Sequence, residues 1–230
     1  MPRPIQVVCL LSACIVLVSF AISSCAQTAG QNPADAPAAV TFTIDFPTSQ
    51  PEHYSIRVQA DDAAHYASSG RLSADSDVTD SFDLDFKVSP ETRQKVFDLA
   101  ARAGYFRKDV DAHHKGLAFT GKKTLSYKDA QRSGESTYNY SSQPAVQELT
   151  SLMQNLSATL EFGHRLQYDR QYQKLALDEE LKRMEDLARS NELIEVAAIQ
   201  PILDQIVADQ SVINVTRARA QRLLASVSAH

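Results

Sequence analysis

FDLDFKVSPETRQKVFDLAARAGYF, residues 82–106, changes structural period within three residues. Phe82, Leu84, Phe86 and Val88 alternate with Asp83, Asp85 and Lys87, the two-residue repeat of a strand with one buried face. Ser89-Pro90-Glu91 then starts a helix. The serine hydroxyl caps free amides, proline suits the first turn, and the glutamate suits the positive end of the helix dipole. The helix is expected to run to Ala103 and bury Val96, Leu99 and Ala100, with Gly104 stopping it in a left-handed conformation and Tyr105 and Phe106 packing just beyond.

Upstream of this switch the period is two. Phe42, Ile44 and Phe46 alternate with Thr41, Thr43 and Asp45, and Tyr54, Ile56 and Val58 alternate with Ser55, Arg57 and Gln59. Asp61-Asp62 marks a tight turn into a partner strand, Ala64 to Ser69. Downstream, residues 107–117 are a polar loop. Leu125 and Tyr127 lie on a strand, Arg132-Ser133-Gly134 turns, and Tyr138 and Tyr140 lie on the returning strand. From residue 143 the period is helical. Val146, Leu149, Leu152, Met153, Leu156 and Leu160 form one stripe, and Gly163 is read as its interruption. A second helix is expected through Leu166, Leu175, Leu181, Met184 and Leu187. Ser190-Asn191 caps a third, which Pro201 kinks or splits, and Val212–Val227 is a fourth. Strands, a helix, a hairpin and then helices predict an α+β domain: an antiparallel sheet of about five or six strands with helices on one face, followed by a helical C-terminal extension.

The N-terminus carries a different signal. Arg3 and the amino group supply a positive start, and Val7 to Ala21 is apolar apart from Ser12 and Ser19. The four residues Ile22-Ser23-Ser24-Cys25 follow, and they resemble the lipobox of bacterial lipoproteins. That resemblance implies cleavage between Ser24 and Cys25, lipid attached to the Cys25 thiol, and anchorage of the chain on a membrane by two or three acyl chains. An uncleaved anchor over Ile5 to Ile22 and ordinary cleavage near Ala26 are the alternatives, and each also exports residues 40–230. Ala26, where many inner-membrane lipoproteins carry Asp, favours the outer membrane and its periplasmic side. The expected organisation is a signal peptide over 1–24, a flexible tether over 25–39 (AQTAGQNPADAPAA after the cysteine), a sheet domain over 40–142, and a helical region over 143–230 packing on it or extending from it. The segment from Tyr54 to Tyr66, with Phe106 and the strand Thr124–Tyr127, is similar to small exported bacterial domains of unknown function. That likeness spans residues 53–160 and implies a fold without an activity.

Composition narrows the function. Cys9, Cys14 and Cys25 are the three cysteines, so the region beyond residue 25 holds no disulfide or thiolate site. Net charge is −5, and removal of residues 1–24, whose single charged side chain is Arg3, leaves −6. An acidic chain of this kind is not expected to bind nucleic acid. Asp109-Val-Asp111-Ala-His113-His114 is the one place where metal-ligating residues crowd together, and a metal-dependent envelope hydrolase would be built there. Its spacing matches neither the helical His-x-x-x-His pattern nor a calcium loop, so a solvated loop without a metal is the expectation. Asp75, Asp77, Asp80, Asp83 and Asp85 read as a charged loop and a strand's outer face. No Gly-x-Ser-x-Gly elbow is present, and His53, His65 and His164 fall in separate elements. Arg217, Arg219 and Arg222 make the last helix basic, either to suit its C-terminal end or to meet anionic lipid. Tyr127, Tyr138 and Tyr140 are expected under a helix rather than at a recognition surface. The reading that results is a non-catalytic, membrane-anchored envelope lipoprotein without a cofactor, acting as a binding or assembly module for an envelope protein or a second copy of itself. An inhibitor of envelope-directed enzymes is the remaining alternative. Helices beyond those needed to cover the sheet motivate the partner, since apolar stripes left exposed on them would seek one.

Overall fold

The computed structural model describes residues 37–71 and 78–227. The alternating segments form six antiparallel strands: β1 (Ala39–Asp45), β2 (His53–Gln59), β3 (Ala63–Arg71), β4 (Thr79–Lys87), β5 (Lys122–Lys128) and β6 (Ser133–Tyr138). They pair in the order β4-β3-β2-β1-β5-β6. β1 is central because it pairs with β2 through Phe42↔Ile56 and with β5 through Phe42↔Leu125. One face therefore collects Val40, Phe42, Ile44, Ile56, Val58, Tyr66, Leu125 and Tyr138, all buried. The opposite face carries Thr41, Arg57, His65, Asp85 and Thr124 and stays polar. The predicted α+β architecture is the observed one, and its strands begin one residue inside the expected tether, at buried Ala39. The turn after β5 comes earlier than expected: Asp129 caps it by accepting from the Gln131 and Arg132 amides, and Ser133 and Gly134 already belong to β6.

Five α-helices follow the described strands in sequence or cross between them: α1 (Pro90–Arg102), α2 (Pro144–Tyr172), α3 (Leu177–Arg189), α4 (Gln200–Ala208) and α5 (Asn214–Val227). α1 forms as expected. Ser89 Oγ accepts from the Thr92 amide at 3.2 Å, Gly104 takes φ +66°, and Val96, Leu99 and Ala100 are buried. Lys123, at the start of β5, is buried. Its ammonium donates to the carbonyl oxygens of Thr120, Gly121 and Asn139 at 2.9–3.3 Å, which pins the long loop before it and lowers its pKa through desolvation.

α2 decides the rest. Thr150 on its first half bonds Tyr138 of β6, Ser157 bonds Tyr66 of β3, and His164 stacks on Phe82 of β4. The helix thus crosses the whole sheet from one edge strand to the other. Fourteen residues of helix span about 21 Å, close to the roughly 24 Å width of five strand spacings. The turns after His164 run past the β4 edge, and α3, α4 and α5 pack around that overhang with buried Leu177, Leu181, Met184, Ile202, Leu203, Ile206 and Leu223. The core is continuous from Val40 to Leu223, with the helical region packed on the sheet.

The helical segments are bounded differently from the sequence expectation. α2 runs unbroken through Gly163, which is buried because Ile199 sits against it: a Cβ there would lie 2.4 Å from Ile199 Cγ2. The real break is at Gln173–Ala176, and Leu175, expected in a helix core, is 88% exposed at that corner. Ser190 ends α3 instead of starting a helix, with Asn191 at φ +57°. Pro201 kinks nothing, since it occupies the first turn of α4, where its missing N–H is harmless. Glu195 ties this region back to the sheet layer: its carboxylate accepts from the Ser89 amide at 3.1 Å and from Ser89 Oγ at 2.6 Å, at the N-terminus of α1.

Candidate functional site

A cleft of about 570 Å3 opens where α2 leaves the sheet, between the ends of β3 and β4 and the start of α3. Glu161, His164, Arg165, Tyr168 and Asp169 line one wall. Their spacing of three, four, seven and eight places them on a single helix face. Ser68 to Arg71 with Thr79, Asp80 and Phe82 form the opposite wall, and Glu180 of α3 closes the end.

Glu161 is the best-held group in the cleft. Its Oε1 accepts from the Tyr66 hydroxyl at 2.6 Å and from Ser68 Oγ at 2.7 Å, and Tyr66 also shares a bond with Ser157 Oγ at 3.0 Å. Burial pushes the Glu161 pKa up, but His164, Tyr66 and Ser68 outweigh it and leave the carboxyl below its ordinary value. Burial and the Glu161 charge push the Tyr66 hydroxyl far up, so it stays protonated, donates its one hydrogen to Glu161 and accepts from Ser157. A general base works best with a pKa near the working pH. A carboxylate held down by three donors and a phenol locked in its neutral form suit a fixed binding wall better than proton transfer.

His164 stands between two acids. Nδ1 lies 3.9 Å from Glu161 Oε2, Nε2 lies 3.7 Å from Asp80 Oδ2, and the ring stacks on Phe82 at 4.4 Å and 7°. Glu161 chiefly, and Asp80, raise its pKa, against burial and Arg165. A histidine with a raised folded pKa contributes stability that is complete below about pH 6.5 and is lost as pH climbs through the folded value. Glu161, with a lowered pKa, contributes stability present above its ordinary value and lost as pH falls through the folded one. The expected result is a urea midpoint that drops as pH rises from about 6.5 through the folded His164 value, with a shallower drop in His164→Gln. Equal slopes in the two proteins would remove His164 from the linkage.

Four carboxylates face the cleft: Asp80, Glu161, Asp169 and Glu180. Arg165 reaches Glu180 at 3.2 Å, and Arg183 reaches the same carboxylate at 3.2 Å from outside. Asp169 is 8% exposed, yet its carboxylate makes no hydrogen bond or ion pair among the described residues. Burial first, and Glu180 second, raise its pKa.

No family model matches this chain, and no curated protein matches it. The site therefore stands on its own chemistry.

The structure places the residues singled out from sequence as follows. Ser24 and Cys25, the signal segment, the tether up to residue 36, and Asp75 and Asp77 lie outside the described residues. Asp109, Asp111 and His113 do come together, but the loop uses them itself. Asp109 accepts from the Asp111 amide at 2.9 Å and pairs with His113 Nε2 at 2.7 Å, and Asp111 accepts from the His113 and Asn139 amides at 2.7 and 3.0 Å. His114 turns to Tyr140 instead. No cluster of three residues able to hold a metal occurs among the described residues. Tyr127 and Tyr138 are buried as expected, while Tyr140 lies beyond β6 and is 42% exposed. Arg219 and Arg222 reach acids of α3: Arg219 bonds Asp178 at 2.9 Å and Glu185 at 2.6 Å, and Arg222 bonds Glu185 at 2.8 Å. Most apolar stripe residues of the helices are buried within the chain, while Tyr168, Tyr172, Leu175, Ile213 and Val215 of the helical region stay exposed. The cleft residues escaped the sequence reading. A polar run at 161, 164, 165 and 169, adjoining the apolar stripe of one helix, was the available signal, and reading Gly163 as a break hid it.

Proposed function

We propose that this chain is a bacterial envelope lipoprotein, acylated on Cys25, whose folded body is a non-catalytic binding module working through the cleft at the α2 overhang. The lipobox-like Ile22-Ser-Ser-Cys25 directly after an apolar run carries the anchoring half of this reading. The body adds no competing membrane element, since no helix among the described residues is long and apolar enough to cross a bilayer. The binding half rests on Asp169, a buried residue on the wall of this cleft whose carboxylate has no hydrogen-bond or ion-pair partner among the described residues. Stability alone does not favour such a group. Two acyl chains hold a protein on its membrane stably, and a short polar tether keeps the body near the surface at high local concentration. In cells, the parent chain is expected to fractionate with membranes and to incorporate labelled palmitate, and Cys25→Ser to lose the label and keep the uncleaved leader. A Cys25→Ser chain that takes up palmitate and migrates like its parent overturns the anchoring.

A further inference from the structure

We propose that the cleft binds an alkylammonium group, seated on the carboxylate of Asp169 with Glu180 beside it. Three of the four acids on the wall are already engaged: Glu161 by Tyr66 and Ser68, Asp80 by His164, and Glu180 by Arg165 and Arg183. Asp169 is nine-tenths buried and unengaged among the described residues. A bare buried carboxylate is costly, and a cation that enters the cleft removes that cost. An anion is excluded by the same wall, where the charges of Asp80, Glu161, Asp169 and Glu180 outnumber those of Arg71 and Arg165. The rest of the wall fits an alkyl chain bearing the amine. Phe82 stacked on His164 and the half-exposed ring of Tyr168 give apolar faces along the path to Asp169, and such faces also attract an ammonium through their π electrons. Burial and Glu180 raise the Asp169 pKa against the charge of Arg165, the direction taken by a carboxylate that lacks a close counter-ion. An alkylammonium of this kind is carried by a free polyamine or by a lysine side chain.

The inference rests on reading the cleft as the binding site of the body and is independent of acylation. A Cys25→Ser chain that stays off the membrane but still binds the amine separates the two. The test is calorimetric titration of the full chain in mild detergent with spermidine, with a blocked lysyl peptide, and with glutarate as the anionic control. Saturable binding of at least one amine and none of glutarate is expected, with affinity falling about tenfold or more in Asp169→Asn. Tighter spermidine binding assigns a free polyamine, and tighter peptide binding assigns a protein lysine. Asp169→Asn is also expected to melt at or above the parent temperature, because it deletes an uncompensated buried charge, whereas the exposed Asp204→Asn changes neither readout. The proposal is overturned if neither amine saturates by about 10 mM, if Asp169→Asn binds as its parent does, or if Asp169→Asn melts well below it, which would mark the carboxylate as structural.

Discussion

Gly134→Ala is expected to destabilise the folded body by about 3 kcal/mol or more, the upper part of the range for forcing atoms into a packed site. A Cβ at this position of β6 would lie 2.2 Å from the Tyr105 carbonyl oxygen and 3.0 Å from the Arg107 amide nitrogen. Both are backbone atoms, so no rotamer change relieves the overlap. The tight turn Gly104–Phe106 has to move, and it is locked from several sides. Gly104, Tyr105 and Phe106 take φ of +66°, +57° and +56°, a run that non-glycine residues adopt only when their surroundings hold them there. The Tyr105 ring packs on Tyr127 at 4.6 Å beneath the Arg132 guanidinium, 4.4 Å from the ring centre, and Phe106 is fully buried. Displacing the turn would withdraw Phe106 from the core. Urea unfolding should show a lower midpoint at unchanged slope. A midpoint equal to the parent's would mean that the turn does not touch β6.

Gly163→Val is the second large effect, and Gly163→Ala is the sharper experiment because two readings of the glycine give opposite signs. If Gly163 marked a helix end or a loose point in α2, alanine would stabilise by up to about 1 kcal/mol through helix propensity. In the structure the new Cβ meets Ile199 Cγ2 at 2.4 Å and Ile199 Cβ at 3.1 Å. Ile199 is buried and branched at Cβ, so its side chain cannot swing clear cheaply. Overpacking of this sort costs about 1–3 kcal/mol and outweighs the propensity gain. Alanine is therefore expected to be mildly destabilising and valine clearly so, with the turn Val196–Ile199 pushed off α2. In a double-mutant cycle with Ile199→Ala the two changes should couple by about 1 kcal/mol or more, because Ile199→Ala deletes the clashing methyl. Stabilisation by Gly163→Ala would show that Ile199 is not seated there.

These two glycines also mark where sequence reasoning stops. The strands were readable because alternation is a local property: whether Phe42 or Thr43 faces the core follows from the pleat alone once one face is buried. The start of α1 was readable for the same reason, since Ser89, Pro90 and Gly104 act on amides and dihedrals within a few residues of themselves. Gly163 and Pro201 were misjudged because the same residue types serve two purposes. A glycine can end a helix or admit a neighbour, and a proline can break a helix or begin one. What decides between them is Ile199, 36 positions away from Gly163 in the chain. Charged residues four apart behave in two ways: Glu179 bonds Arg183 within α3, whereas Asp178 and Glu185, four residues before Lys182 and Arg189, bond Arg219 and Arg222 of α5. Spacing along one helix could not see a second helix laid against it.

The order of elements, the face each strand buries and the one N-terminal motif with a chemical meaning were written in the chain itself, because periodicity and capping act over a few residues. The cleft was not. It exists because α2 is longer than the sheet is wide, so the overhang brings Glu161, His164 and Asp169 against β3 and β4 on one side and Glu180 on the other. Lengths and crossing angles of packed elements set that meeting, and with it the burial of Asp169, whose carboxylate no hydrogen bond or ion pair holds among the described residues.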